Sequence, residues 1–428
     1  MNTLLIIGYV WPEPKSSAAG IRMLELIEAF HAWHWRIVFA SAAALSEHRA
    51  DLSSLGVAEQ TIALNDSSFD QFLAVLKPDA VLFDRFFSEE QFCWRVEQIC
   101  PDALRILDTE DLHSLRHVRH RLLKQKQQTI TNERDRQKVD PVLANNREIH
   151  AMMAQDDMAQ REIAAIYRCD LTLLISEFEI ALLYDYFSVP GALLHYCPFI
   201  NTAISEPASL PDYSGRQHFI SIGNFRHEPN WDAVMYLKEA IWPLIRTQLP
   251  QAELHIYGAY PPPKATQLHN AKQGFLIKGW AKDALKVMQH ARVCLAPLRF
   301  GAGIKGKLVD AMQSGTPSIT TAIGAEAMTG GLPWGGYIEN NAAALAAAAV
   351  DLYRCKTAWK TAQQRGFKIL NHYFGQQEHA ELLHTRILQL QQNLAEQRRQ
   401  NFVGALLRHH LHKSTQYMSK WIEQKNKK

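Results

Sequence analysis

Cysteine is sparse in this chain. Six stand among 428 residues, at 93, 100, 169, 197, 294 and 355, with no Cys-x-x-Cys pair. That scatter argues against a disulfide framework or a thiolate zinc site and reads as reduced, mostly buried thiols of a cytosolic protein. No apolar run approaches the roughly 18 residues of a membrane span. The N-terminus has no basic stretch and no small-residue cleavage site, so it reads as a first strand and not as a signal peptide. An excess of one charge is lacking too: the net charge of +3 is too small to signal a nucleic-acid partner. No Gly-x-Gly-x-x-Gly follows the first apolar run, where Pro12 and Pro14 intervene, which disfavours a nicotinamide oxidoreductase. Metal motifs are wanting as well. Asp108-Thr-Glu110 has Asp-x-Asp spacing but reads as a strand-end loop, and the His113/His117 pair lacks the glutamate of a zinc-protease helix. The expectation is a protein without metal or cofactor.

What is present is an alternation of short apolar runs with helical periodicity. Residues 4–7, 36–40, 60–64, 79–83, 104–107 and 170–176 read as strands, and 21–31, 68–76, 89–99 and 179–187 as helices. The rhythm implies a parallel sheet. It is interrupted at about 117–160 by a long polar helical insertion. The Pro- and Ser-rich stretch 205–215 reads as a linker. After it the rhythm restarts: 219–222, 253–257, 275–278, 293–296 and 318–321 read as strands. The fold class expected is α/β, two facing Rossmann-like domains at 1–204 and 215–375 with a cleft between them. A helical basic tail at 376–428 follows.

Residues 297–317 carry the chemistry. They read as a glycine-rich loop leaving a buried strand, then a short helix from about Lys305, stopped by Gly315 and Pro317. Gly301, Gly303 and Gly306 allow close approach of backbone to a ligand. A helix N-terminus offers unpaired N–H groups and partial positive charge, and Lys305 and Lys307 add full charges. Asp310 lies one helical turn beyond Gly306, where its carboxylate could accept from the vicinal hydroxyls of a ribose. Cradle plus acceptor suit a nucleoside diphosphate, although a loop-to-helix turn that needs glycine for packing has the same residues. His113 falls beyond the carboxyl end of a strand, where open α/β sheets bind ligands; on local residues alone it reads as a solvated loop histidine.

With both halves in view, the sequence resembles the GT-B-fold glycosyltransferases, in particular the retaining glycosyltransferase family 4-like group. The resemblance rests on 219–226 (Phe-Ile-Ser-Ile-Gly-Asn-Phe-Arg), on 297–317, on the Gly324-Ala-Glu326 turn, on the first loop from Pro12 to Gly20, and on 170–176 before the hinge. It implies transfer of a sugar from a nucleoside diphosphate donor with the anomeric configuration kept, to a glycan, lipid-linked or protein acceptor, in surface polysaccharide synthesis. By matching position, Arg226 and Lys305 would be the cations on the diphosphate, with Lys307 able to supply a further charge. Gly303 and Ile304 would offer backbone N–H groups, and Asp310 would hold the ribose. Gly20 would close on the donor from the first domain, His113 would stand near the reacting sugar, and Gly279 and Trp280 would border the base. Glu326 would join the donor site. The family's first motif glutamate falls on Ala302, which cannot hold a sugar hydroxyl.

The basic tail, with Phe402, Leu406, Met418, Trp421 and Ile422 as its apolar component, could lie on an anionic membrane surface, so the expected location is cytoplasmic with peripheral contact at the inner face; a solvated helix has the same composition. Two other readings fit the fold: a nucleotide-binding scaffold without activity, motivated by Ala302, and a nucleotide-sugar epimerase, which needs no acceptor.

Overall fold

A computed structural model describes residues 1–200, 209–374, 377–409 and 413–426. Two wholly parallel sheets organise it. The first holds β1 (Thr3–Gly8), β2 (Arg36–Ser41), β3 (Ala58–Thr61), β4 (Ala80–Asp84), β5 (Leu104–Asp108), β6 (Leu171–Leu174) and β7 (Leu194–Tyr196), in the order β3-β2-β1-β4-β5-β6-β7. The second holds β8 (Gln217–Ile222), β9 (Leu254–Tyr257), β10 (Phe275–Gly279), β11 (Ala291–Ala296), β12 (Ser318–Thr320) and β13 (Gly336–Ile338), in the order β10-β9-β8-β11-β12-β13. Every residue of β1, β4, β5 and β6 is buried. Such strands read as continuous apolar runs because helices cover both faces of a parallel sheet.

Each sheet reverses its strand order once, between β1 and β4 in the first and between β8 and β11 in the second. In open α/β sheets the crevice for a ligand lies at this reversal, beyond the carboxyl ends of the strands. The two reversals face each other here, which makes the cleft.

The structure departs from the sequence reading at the margins. β3 starts at Ala58 and ends at Thr61, with the buried Ile62 just beyond it still donating its N–H to the Ser41 carbonyl of β2 at 3.1 Å. β7 and β13 have three residues each, too few to register as apolar runs. Between β5 and β6 the chain forms helices His113–Gln128, Asn146–Met153 and Asp157–Arg168. The linker's first residues, 205–208, and the 375/376 boundary lie outside the described residues.

The segment after 376 is not a free tail. Leu383, Ile387 and Leu390 of helix Gln377–Gln400 are buried in the same apolar cluster as β1 and helix Ala18–Ala32 of the first domain. Arg398 binds Asp170 with N–H groups at 2.8 and 2.7 Å, and Arg408 pairs with Glu97 at 3.1 Å. The chain thus returns from the second domain to complete the first.

A candidate donor cleft between the two domains

The cleft between the facing switch points has a volume of about 1350 Å³. Tyr9, Asp84 and Arg85 line it from the ends of β1 and β4, and Ile222, Gly223 and Leu298 from beyond β8 and β11. That is ample for a ligand of several rings, given usual pockets of about 300–1,000 Å³.

The wall on the second domain is the glycine-rich loop. Its start is pinned by the Thr321 hydroxyl, which donates to the Leu298 carbonyl at 2.5 Å, and by Arg299, buried and paired with Asp232 at 2.5 Å. The helix runs Gly306–Gln313 with Lys305 at its N-cap. Gly315, at φ +57°, ends it, as a glycine beyond a helix C-terminus commonly does. Lys305 is buried and its Nζ donates to the Gly303 carbonyl at 2.6 Å. Lys307 Nζ donates to Asn230 Oδ1 at 2.6 Å. Burial lowers the pKa of both lysines, to about 8 for Lys307. Burial pushes Asp310 up to about 7 against the pull of Lys307. Arg226 stacks its guanidinium 3.6 Å from the centre of the Tyr260 ring and lines the same cleft.

The wall on the first domain starts with helix Ala18–Ala32, capped by Ser17, whose Oγ accepts from the Gly20 N–H at 3.1 Å. A side chain at Gly20 would strike the Glu13 backbone at 2.4 Å, so the residue is small because the 9–17 loop folds over it. That loop reaches the second domain twice: the Tyr260 hydroxyl donates to Glu13 at 2.8 Å, and the Trp280 indole donates to the Lys15 carbonyl at 3.0 Å. Trp280 also stacks on His48 at 4.4 Å.

His113 opens the helix that follows β5. Its Nε2 lies 3.5 Å from Asp111, and its ring meets Phe86 and Phe87 edge-on. Burial first, then Arg116 and Arg85, hold its pKa down to about 3 against Asp111. The imidazole is therefore neutral at physiological pH, able to donate with one nitrogen and accept with the other. Arg85 and Glu110, at the ends of β4 and β5, adopt left-handed φ of +67° and +61°. Such backbone costs about 1–3 kcal/mol and tends to mark functional sites.

The structure brings Arg226, Lys305, Lys307, Asp310, Ile304, Gly20, His113 and Trp280 to one cleft. Three expected residues stand otherwise. Gly279, at φ +74°, ends β10 outside the lining. Glu326 lies outside the lining and is held by Arg119 through hydrogen bonds of 2.8 and 2.6 Å. The Gly303 N–H is already taken, donating to Glu179 of the first domain at 2.8 Å. Sequence reasoning missed Arg85, Glu110, Asn230 and Glu179. The first two sit at strand ends beside the reversal, a position that could have singled them out; nothing near Glu179 in the sequence signals its role. Asp108 is consumed by a buried pair with Arg22 at 2.9 Å. Among the described residues, no group of three or more His, Cys, Asp or Glu is arranged to hold a metal.

Residues 216–355, the second domain, match the model of the family glycosyl transferases group 1. The second domain is thus similar to that family, and the chain as a whole has the GT-B fold of glycosyltransferases. About nine tenths of it superposes on solved structures with that fold. Sucrose-phosphate synthase from Thermosynechococcus elongatus is 16% identical with a TM-score of 0.59, covering 91% of this chain and 99% of that one. The Anabaena protein HepE, solved in complex with UDP and glucose, is 10% identical with a TM-score of 0.59, covering 92% and 98%. WaaG, a glycosyltransferase involved in lipopolysaccharide biosynthesis, is 10% identical with a TM-score of 0.57, covering 89% and 98%. No curated protein sequence matches the chain.

Proposed function

We propose that this chain moves a sugar from a nucleoside diphosphate donor to a glycan, lipid-linked or protein acceptor with retention at the anomeric carbon, in the synthesis of a cell-surface polysaccharide. The observation that carries the reading is the meeting of two helix N-termini, at Ala18 and Gly306, in a cleft that also receives Lys305, Lys307, Arg226 and Asp310. N-terminal helix dipoles and three cations favour the charge that grows on a leaving diphosphate as the glycosidic bond breaks. Asp310 accepts from ribose hydroxyls, and neutral His113 orients a hydroxyl of the sugar. Arg226, Lys305 and Lys307 take the part a divalent metal plays elsewhere, so the reaction proceeds without one. The donor class agrees with the UDP and glucose held by HepE.

A thermal-shift screen against UDP-, GDP-, ADP- and CMP-sugars, followed by an acceptor-dependent transfer assay, tests the reading. The true donor raises the melting temperature in proportion to its affinity and excess. No stabilisation by any of them would overturn it. Binding without turnover would favour the scaffold reading, which the apolar burial of Ala302 supports.

We also propose that the acceptor is met at an anionic membrane surface. The last helices, Phe402–Leu407 and Lys413–Asn426, expose Phe402 (72%), Trp421 (60%), Val403, Leu406, Tyr417 and Met418. Lys413, Lys420 and Lys425 are exposed on the same segment. Among the described residues no helix is long and apolar enough to cross a membrane, so contact through these helices would be peripheral.

A further inference from the structure

Three consecutive residues of the second domain are gripped by the first. Arg119 donates to the Gly301 carbonyl at 2.8 Å while its other N–H groups engage Glu326. Glu179 accepts from the Gly303 N–H at 2.8 Å and from the Leu112 N–H at 3.0 Å, both through Oε1. Between these two anchors Ala302 joins the apolar core cluster of the first domain. Gly303 tolerates no side chain: its φ is +62°, and an added Cβ would lie 2.8 Å from the Cβ of Asp111.

The Glu179 side chain is wholly buried, and its Oε2 has no hydrogen-bond partner among the described residues. Burial and nearby Asp111 raise its pKa. A half-satisfied buried carboxyl is costly, and here it sits where the two domains join. The next peptide is held within the loop by Lys305, which donates to the Gly303 carbonyl. Opening the domains would therefore free the Gly303 amide and remove the anchor beside the loop that carries Lys305.

We infer that residues 301–303 form the docking contact that fixes the two domains around the cleft, with Ala302 as its apolar wedge and Glu179 and Arg119 as positioning residues for the donor loop. Ala302 is small and uncharged because it fills the first domain's core; a carboxylate there would face apolar neighbours and Glu179. The effect on ligand affinity rests on the donor reading above, but the effect on domain arrangement does not.

Small-angle scattering of the full chain, without ligand, reads the arrangement, and calorimetric titration with UDP reads the consequence. Glu179→Ala and Ala302→Glu should each raise the radius of gyration above that of the parent. If the closed form falls to about a tenth of the population, apparent UDP affinity falls about tenfold. Glu179→Gln keeps the accepting oxygen and should retain the parent's radius and its affinity within about twofold. If either expanding variant loses its circular dichroism, Arg119→Ala breaks the Gly301 side of the contact and takes its place. A parent-like radius in Glu179→Ala, or equal expansion in Glu179→Gln, overturns the inference. Expansion with unchanged UDP affinity keeps the docking contact and counts against placing the donor beside it.

Discussion

A Cβ added at Gly306 would lie 2.6 Å from the Cβ of Ala18, so the helices Ala18–Ala32 and Gly306–Gln313 meet N-terminus to N-terminus across the domain boundary. Both ends carry unpaired N–H groups and partial positive charge. The contact is too tight for any side chain at 306, and overpacking of this kind costs about 1–3 kcal/mol. Gly306→Ala should therefore separate the helix ends while leaving most of the fold intact. A displacement of about 1 Å at a reacting centre costs about 100-fold in rate, so steady-state turnover should fall by at least tenfold. Ala18→Gly in the same chain makes room again and should restore most of it. Full activity in Gly306→Ala alone would show that the helix ends do not hold the ligand.

The titrations in the cleft set a narrow pH window. Asp310 is pushed up to about 7, so below that pH it is protonated and loses its full strength as an acceptor. Lys307 is lowered to about 8 and Lys305 is lowered likewise, so above that pH positive charge leaves the cradle. A plot of kcat/KM from about pH 5.5 to 9.5 should be bell-shaped, since it reports the free enzyme's essential groups. The rise belongs to Asp310 near 7 and the fall to the lysines near 8. Asp310→Asn should abolish the acid limb and keep the alkaline one. Lys305→Ala should slow turnover by about 100-fold or more, the usual loss when one preorganised donor is removed, with far less effect on folding. A flat profile would detach these three residues from the reaction.

Stability is set elsewhere, at Arg22. Its guanidinium binds Asp108 through Nε and a terminal nitrogen, at 3.2 and 2.9 Å, and also the carbonyls of Cys197 and Pro198. Both partners of the ion pair are buried. Removing one charge of a buried pair costs about 3–5 kcal/mol, because the other is left uncompensated. Arg22→Ala should lower the denaturation midpoint accordingly. Arg22→Lys should recover little, since a point charge cannot reproduce the planar fork. A shift under about 1 kcal/mol would place the pair among the weak surface-type bridges.

How much of this was legible beforehand varies with the range of the interaction. The strands β1, β4, β5, β6, β8 and β11 are apolar runs in the sequence because burial on both faces makes them so. The glycine loop and its helix were legible for the same local reason. Lys305, Lys307 and Asp310 follow from helical geometry once the helix start is known. Glu326 was misplaced because its partner Arg119 is 207 residues away, and no spacing rule reaches that far. The Gly303 amide looked free for a phosphate because Glu179, 124 residues earlier, gives no sign of its contact. Helix Gln377–Gln400 read as part of a basic helical tail; its role in the first core depends on where the chain returns, which periodicity does not encode.

The same return path decides what the last two helices can do. Helix Phe402–Leu407 packs on helix Asp157–Arg168, and Lys413–Asn426 on Arg85–Ile99, two helices that touch each other. Ser419 faces inward to Arg95 at 3.1 Å, and Ser67 reaches Glu423 at 2.7 Å. The opposite face therefore carries Tyr417, Met418 and Trp421 outward, with Lys425 5.3 Å from the Trp421 ring. Arg398 and Arg408, which add to the tail's charge in sequence, are spent on Asp170 and Glu97 and contribute nothing outward. What remains is an aromatic face with exposed lysines, each worth about 1 kcal/mol near an anionic bilayer and screened by salt. The full chain should co-sediment with vesicles containing phosphatidylserine and release at high salt. Removing both charge and aromatic area, as in Trp421→Ser with Lys420→Gln and Lys425→Gln, should weaken binding by at least tenfold. Equal binding to neutral phosphatidylcholine vesicles, or none to either, would reject the membrane as the partner of this face. Dimerisation lost in the same variant would instead assign the face to a second copy of the chain.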